Sequence, residues 1–126
     1  MDTPEFLTLE EVLFLHDESI KRFGGSYGLG DRGLAESVLG TAQNTYYYGH
    51  GDRFAIAAAY GYHIAESQAF TDGNKGTAVA SALAFLRKNG IRIGRDDGTI
   101  YDAMIAIAKK QLDKPGLTEV LRRFAE

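Results

Sequence analysis

The chain has 126 residues, 44% of them hydrophobic and 25% charged, with 14 basic side chains against 17 acidic ones and a net charge of −3. One domain of this size buries about two thirds of the surface its unfolded chain exposes, so it needs no metal or disulfide to hold it, and the balanced composition excludes a disordered or fibrous chain. The absence of cysteine excludes a disulfide framework, a thiolate nucleophile and a cysteine-ligated metal, and the slight acidity gives no electrostatic reason to expect nucleic-acid binding.

The opening Met1-Asp2-Thr3-Pro4-Glu5 is acidic where a signal peptide is basic. No run approaches the ~18–20 apolar residues of a membrane helix, so a soluble, cytoplasmic protein with no membrane partner is expected. Thr8 and Glu11 have the spacing of a capping box, and Val12, Leu15, Ile20 and Phe23 follow near helical spacing until Gly24-Gly25. After a glycine-rich loop to Gly30, Asp31 caps a second helix carrying Leu34, Val38 and Leu39 that stops near Gly40. That loop has the glycine content of a phosphate loop, but it follows a helix and not a strand, which favours a plain turn.

Thr45 to Arg53, Thr-Tyr-Tyr-Tyr-Gly-His-Gly-Asp-Arg, is aromatic and glycine-rich. It suits a short hairpin or β-like flap near residues 45–51 better than a helix. From Asp52 a long helix stacks Phe54, Ala58, Tyr62 and Ala65 on one face. Residues 68–73 break that pattern, and a further helix runs from about Asn74 to Asn89. It is apolar on nearly every side, which predicts the central, buried helix. A short β-like piece, Ile91-Arg92-Ile93, precedes two closing helices, from about Thr99 to Leu112 and from Leu117 to Phe124. Lys109-Lys110 and Arg122-Arg123 read as solvated helix ends. The whole is an all-α, single-domain bundle of six helices spanning residues 1–126.

The informative segment is Gln68-Ala69-Phe70-Thr71-Asp72-Gly73-Asn74-Lys75-Gly76-Thr77. A helix's first turn has free backbone N–H groups and partial positive charge, a ready site for phosphate. Gly73 lets the backbone approach a ligand, Asn74 brings amide donors, Lys75 a point charge, and Asp72 a carboxylate fit for a divalent cation. The same residues also suit an ordinary helix start, since Asp and Asn are common caps.

This segment resembles the signature of the Fic/Doc family, His-x-Phe-x-Asp/Asn-x-Asn-Lys-Arg. Phe70, Asp72, Asn74 and Lys75 match in register. Leu15-His16-Asp17, Phe23-Gly24-Gly25, Asp31-Arg32-Gly33-Leu34, Tyr60 to Ile64 and Leu83 to Gly90 are similar to the Doc branch as well. The resemblance implies a compact Fic/Doc bundle, ATP and Mg²⁺ as cofactors, and transfer of phosphate or AMP to a hydroxyl of a target protein, elongation factor Tu in the Doc branch. It places phosphate contacts at Gly73, Asn74, Lys75 and Gly76, metal and target hydroxyl at Asp72, and target docking on a flap at Tyr46, Tyr47 and Tyr48.

Two signature positions differ. Gln68 stands where the family has its histidine base and cannot take a proton near neutrality. Gly76 stands where the family has an arginine, which removes a bidentate clamp on phosphate. The resemblance therefore implies a Doc-like toxin with impaired catalysis. A non-catalytic binding module and an AMP transferase of altered chemistry are the alternatives. His63 reads as a packed histidine, His16 as structural or a loop contact, and His50 as free. No glutamate here is followed by Gly or Asn, so the family's self-inhibitory helix motif is missing. That implies a separate cognate antitoxin as partner.

Overall fold

The computed structural model describes residues 3–126, so Met1 and Asp2 of the acidic opening lie outside the described residues. Six helices follow in order: α1 Leu9–Phe23, α2 Arg32–Tyr47, α3 Arg53–Ser67, α4 Asn74–Lys88, α5 Thr99–Ala108 and α6 Lys114–Arg123. Their starts are written in local chemistry. Thr8 and Glu11 close a reciprocal capping box on α1, and Asp31, Asp52 and Asp113 each accept a backbone N–H from the first turn of the helix they precede. The all-α bundle expected from the sequence is the observed architecture. Among the described residues no helix is long and apolar enough to cross a membrane.

The β-like flap is not there as expected. Helix α2 does not stop at Gly40 but continues through Thr45 and Tyr46 to Tyr47. A Cβ at Gly40 would meet nothing within 4 Å, so this glycine faces open space and weakens the helix by only ~1 kcal/mol. Packing outweighs that cost. Ala42 is fully buried, and the rings of Tyr46 and Tyr47 lie 6.1 and 5.9 Å from that of Phe6. Only the turn after Tyr47 remains irregular, with Tyr48 81% exposed and His50 in the left-handed region.

Smaller departures have similar causes. Helix α5 ends at Ala108, not near Leu112, where Lys109 and the left-handed Lys110 turn the chain. Helix α6 begins earlier than expected because Asp113 caps it and Pro115 fits its first turn. The β-like Ile91–Ile93 piece is reduced to one bridge between Ile93 and Ala125.

The core centres on α3, which packs against α2, α4, α5 and α6, whereas α4 touches α1, α3 and α5. The central role expected of α4 is thus shared with α3. Its run Ile56-Ala57-Ala58-Ala59-Tyr60 is fully buried, with Phe85 and Leu86 of α4 against it. A Cβ at Gly61 would sit 2.9 Å from Met104 Cε, so glycine there permits the close crossing of α3 and α5.

Tyr60 ties this core to the N-terminal segment, its hydroxyl accepting the Leu7 N–H at 3.0 Å. Burial pushes its phenol up to about 12. Ionisation is therefore disfavoured in the fold, and the stability present below pH ~10, the unfolded value, is expected to fall as pH rises towards 12. Tyr60→Phe strands the buried Leu7 N–H and is expected to cost about 1–3 kcal/mol at neutral pH. It should also flatten the alkaline loss, and urea titrations at pH 7.5 and 10.5 check both effects.

Candidate functional site

The segment joining α3 to α4 is held from four sides. Helix α3 ends at Ser67 and is followed by Gln68, an exposed residue in the left-handed conformation (φ 55°, ψ 47°). Ala69 and Phe70 then turn inward and are buried. The glycine-rich loop runs antiparallel alongside, with Asp31 N donating to Ala69 O at 2.9 Å, Thr71 N to Gly28 O at 3.2 Å, and a bridge between Leu29 and Phe70. From α1, the buried His16 ring stacks on Phe70 at 4.0 Å and 9°. Its Nε2 lies 2.7 Å from the Asp72 carbonyl, which fixes Nε2 as the donor.

Asn74 closes the loop from within. Its Oδ1 accepts the Phe70 N–H at 3.1 Å and its Nδ2 donates to the Phe70 carbonyl at 2.9 Å. The side chain expected to offer donors to phosphate is thus committed to the loop's own backbone. Gly73, at φ +75°, makes the sharp entry to α4 that a side chain would strain. Among the described residues no side chain caps this helix start, so its first-turn N–H groups and the positive end of its dipole face the adjoining groove.

The Asp72 carboxylate bends over the glycine-rich loop. Its Oδ2 accepts the Ser26 N–H at 3.2 Å and its Oδ1 the Gly73 N–H at 3.0 Å. Each oxygen keeps a lone pair. Among the described residues no three His, Cys, Asp or Glu side chains gather as a metal cluster. Magnesium commonly takes one or two carboxylates and completes its shell with phosphate oxygens and water. Asp72 alone therefore fits a Mg²⁺ that arrives with a nucleotide.

Beside the helix start lies a groove of about 920 Å³ between α1, α4 and the start of α5. Asp72, Gly73, Asn74, Lys75 and Gly76 form one wall, and Val79, Leu83 and Tyr101 give an apolar stretch further along. Lys75, Arg22 and Arg87 line it as well, and none of the three forms an ion pair among the described residues. The structure thus gathers five of the expected site residues and adds Arg22 and Arg87, which no local motif marked. Gln68 stands outside the groove lining, and so do Tyr46, Tyr47 and Tyr48 at the end of α2. Of the three histidines, none lines the groove. His16 serves the loop, His50 is exposed, and His63 turns to Lys114 on α6.

Gly76 has a neighbour the sequence did not reveal. A Cβ there would collide with Ser19 Oγ and lie 3.7 Å from Ser19 Cβ. Ser19 is 8% exposed, and its hydroxyl fills the space that the first carbon of a side chain at position 76 requires. The missing arginine is therefore part of a two-residue arrangement between α1 and α4. One signal was available in principle, since Ser19 lies three residues after His16 and shares its helix face.

Residues 6–86 match the model of a family described as Fic/DOC. The chain is 36% identical over 116 residues to the Protein kinase doc of Escherichia phage P1, covering 91% of each chain. It is 31% identical over 125 residues to the Toxin Doc of Mycolicibacterium smegmatis, covering 96% of this chain and 94% of that one.

Proposed function

The chain belongs to the Fic/DOC family, and from that premise we propose that it is the toxin of a toxin–antitoxin module whose phosphate-transfer chemistry is impaired. The observation that carries this reading is an intact loop frame around two altered reactive positions. Phe70 and Asp72 are braced by His16 and the glycine-rich loop, Asn74 bonds the backbone of Phe70, and Lys75 follows it in the groove wall. The base position holds Gln68, and the clamp position holds Gly76 packed on Ser19.

The groove suits the phosphates of ATP. First-turn N–H groups of α4 would receive one phosphate group, and the Lys75 ammonium adds charge at the same wall. Asp72 would hold Mg²⁺, which when bound neutralises charge on the phosphates. A target hydroxyl brought to Gln68 meets an amide that orients it but does not take its proton. Absence of a general base typically slows such a step ~10²–10⁴-fold, and loss of the guanidinium removes further stabilisation of transferring charge. The partner implied is a cognate antitoxin, and elongation factor Tu is the target class that the resemblance suggests.

The second reading is a binding module that retains the groove without chemistry. Lys75, Arg22 and Arg87, which form no ion pair among the described residues, share the groove with Glu18, Asp72, Asp96 and Asp102 and an apolar stretch, a mixed lining that favours it because such a groove holds a ligand of mixed charge whether or not it reacts. Incubation of the chain with γ- and α-labelled ATP, Mg²⁺ and cell extract tests the first reading. No label on any protein beyond that in the same extract and ATP without the chain is expected. Transfer that disappears in Asp72→Asn would overturn impairment and indicate altered chemistry, and the labelled position would tell phosphate from AMP transfer.

A further inference from the structure

Away from the groove, three titratable side chains meet where α3 ends and α6 begins. His63 and Glu66 stand one turn apart on α3, and Lys114 is the first residue of α6. Lys114 Nζ lies 2.9 Å from His63 Nε2, and His63 Nδ1 faces Glu66 Oε1 at 3.6 Å. The carboxylate favours the tautomer with its hydrogen on Nδ1, which leaves the Nε2 lone pair turned to the amine. Lys114 Nζ also lies 6.0 Å from the centroid of the Tyr62 ring. None of these four residues lines the groove.

Two effects favour the neutral amine. Burial lowers the Lys114 pKa, with the Glu66 charge acting against it, and a cation at the start of a helix is opposed by the helix dipole. Burial and then the charge of Lys114 lower the His63 pKa, again against Glu66. The imidazole is thereby kept in the form that accepts a proton.

We propose that Lys114 is a nucleophilic lysine, an acylation site at which His63 is the base and Glu66 the positioning residue for that base. The acyl donor belongs to the activated class, an acyl phosphate or an acyl thioester. The neutral Nζ attacks the acyl carbon and an N–C bond forms. The C–O bond to phosphate or the C–S bond to the thiol breaks, and the leaving group departs with its electron pair. The proton shed by Nζ passes to His63 Nε2, and no oxidant or reductant takes part. The product is an uncharged amide at the start of α6, beside Tyr62. This inference does not depend on the chemistry of the groove.

The test is acetylation of the whole chain in two arms, one with acetyl phosphate and one with acetyl-coenzyme A, followed by peptide mass spectrometry over time. Exposed Lys109 and Lys110 serve as internal references for ordinary lysine reactivity. In at least one arm Lys114 is expected to react about tenfold faster than they do, a factor below the ~10²–10⁴ of an evolved general base. The faster arm identifies the donor class. His63→Gln should bring Lys114 down to the reference rate without changing Lys109 or Lys110. Glu66→Gln, at an exposed position that leaves packing intact, should lower it part of the way. Lys114 no faster than the references in both arms overturns the proposal, and so does a Lys114 rate unmoved by both variants.

Discussion

A variant combining Ser19→Ala, Gln68→His and Gly76→Arg is expected to transfer phosphate from ATP to a protein in cell extract at least ~10²-fold faster than the unmodified chain. The backbone at position 68 already accommodates the change, because its left-handed conformation is one that histidine adopts more readily than most residues. Position 76 is the obstacle. An arginine Cβ there would collide with Ser19 Oγ, so Gly76→Arg alone must rotate that hydroxyl or part α1 from α4. Alanine at 19 removes the oxygen and leaves a carbon at 3.7 Å, an ordinary contact. The Gln68→His, Gly76→Arg double variant is accordingly expected to be less stable than the triple one, by less than the about 1–3 kcal/mol usual for overpacking, because the Ser19 hydroxyl can rotate. Denaturant titration of both variants measures that difference, and γ-labelled ATP measures the rate. Well-folded triple variant without transfer would sink the disabled-enzyme reading and leave the binding module.

His16→Ala is expected to cost about 3 kcal/mol, a fall in Tm on the order of 10 °C for a domain of this length. His16 is 2% exposed, stacks face to face on Phe70 and meets the Asp72 carbonyl through Nε2. Its removal opens a cavity under the motif loop and strands a carbonyl. The loss should be local as well as global. Hydrogen exchange at residues 69–74 is expected to accelerate more than exchange in α5 and α6, which do not contact this ring. Equal acceleration throughout would mean that His16 supports the bundle as a whole and not the loop in particular.

Several features of the site were legible before any fold was known. Asp72, Gly73, Asn74, Lys75 and Gly76 are consecutive, and a helix start brings consecutive residues to one wall without help from elsewhere. The functional meaning of Gln68 and Gly76 came from their register within a known signature, not from their own chemistry. The Ser19–Gly76 packing and the gathering of Arg22 and Arg87 were not legible, because those pairs lie on different helices and their meeting depends on how α1 sits against α4. The bond of the Asn74 side chain to the loop was not legible for a related reason. Amide donors are visible in a sequence, but their partner, the backbone of Phe70, is set by the way the loop folds back.

The flap shows the opposite failure. Glycine and tyrosine content at residues 45–51 argued locally for a strand or turn, and Phe6 won the tyrosines for a helix. Local signals worth a few tenths to ~1 kcal/mol yield to aromatic ring contacts and the burial of Ala42. What the sequence by itself determined was the family, the six-helix plan and the capped starts of α1, α2 and α3. Those rest on caps at fixed offsets and on hydrophobic spacing, interactions confined to a few neighbouring residues. The tertiary structure alone decided where α2 ends, which side chains fill the groove, that a side chain at position 76 would meet Ser19, and that Lys114 meets His63. Each of these depends on contacts between residues far apart in the chain, and their geometry exists only once the helices have packed.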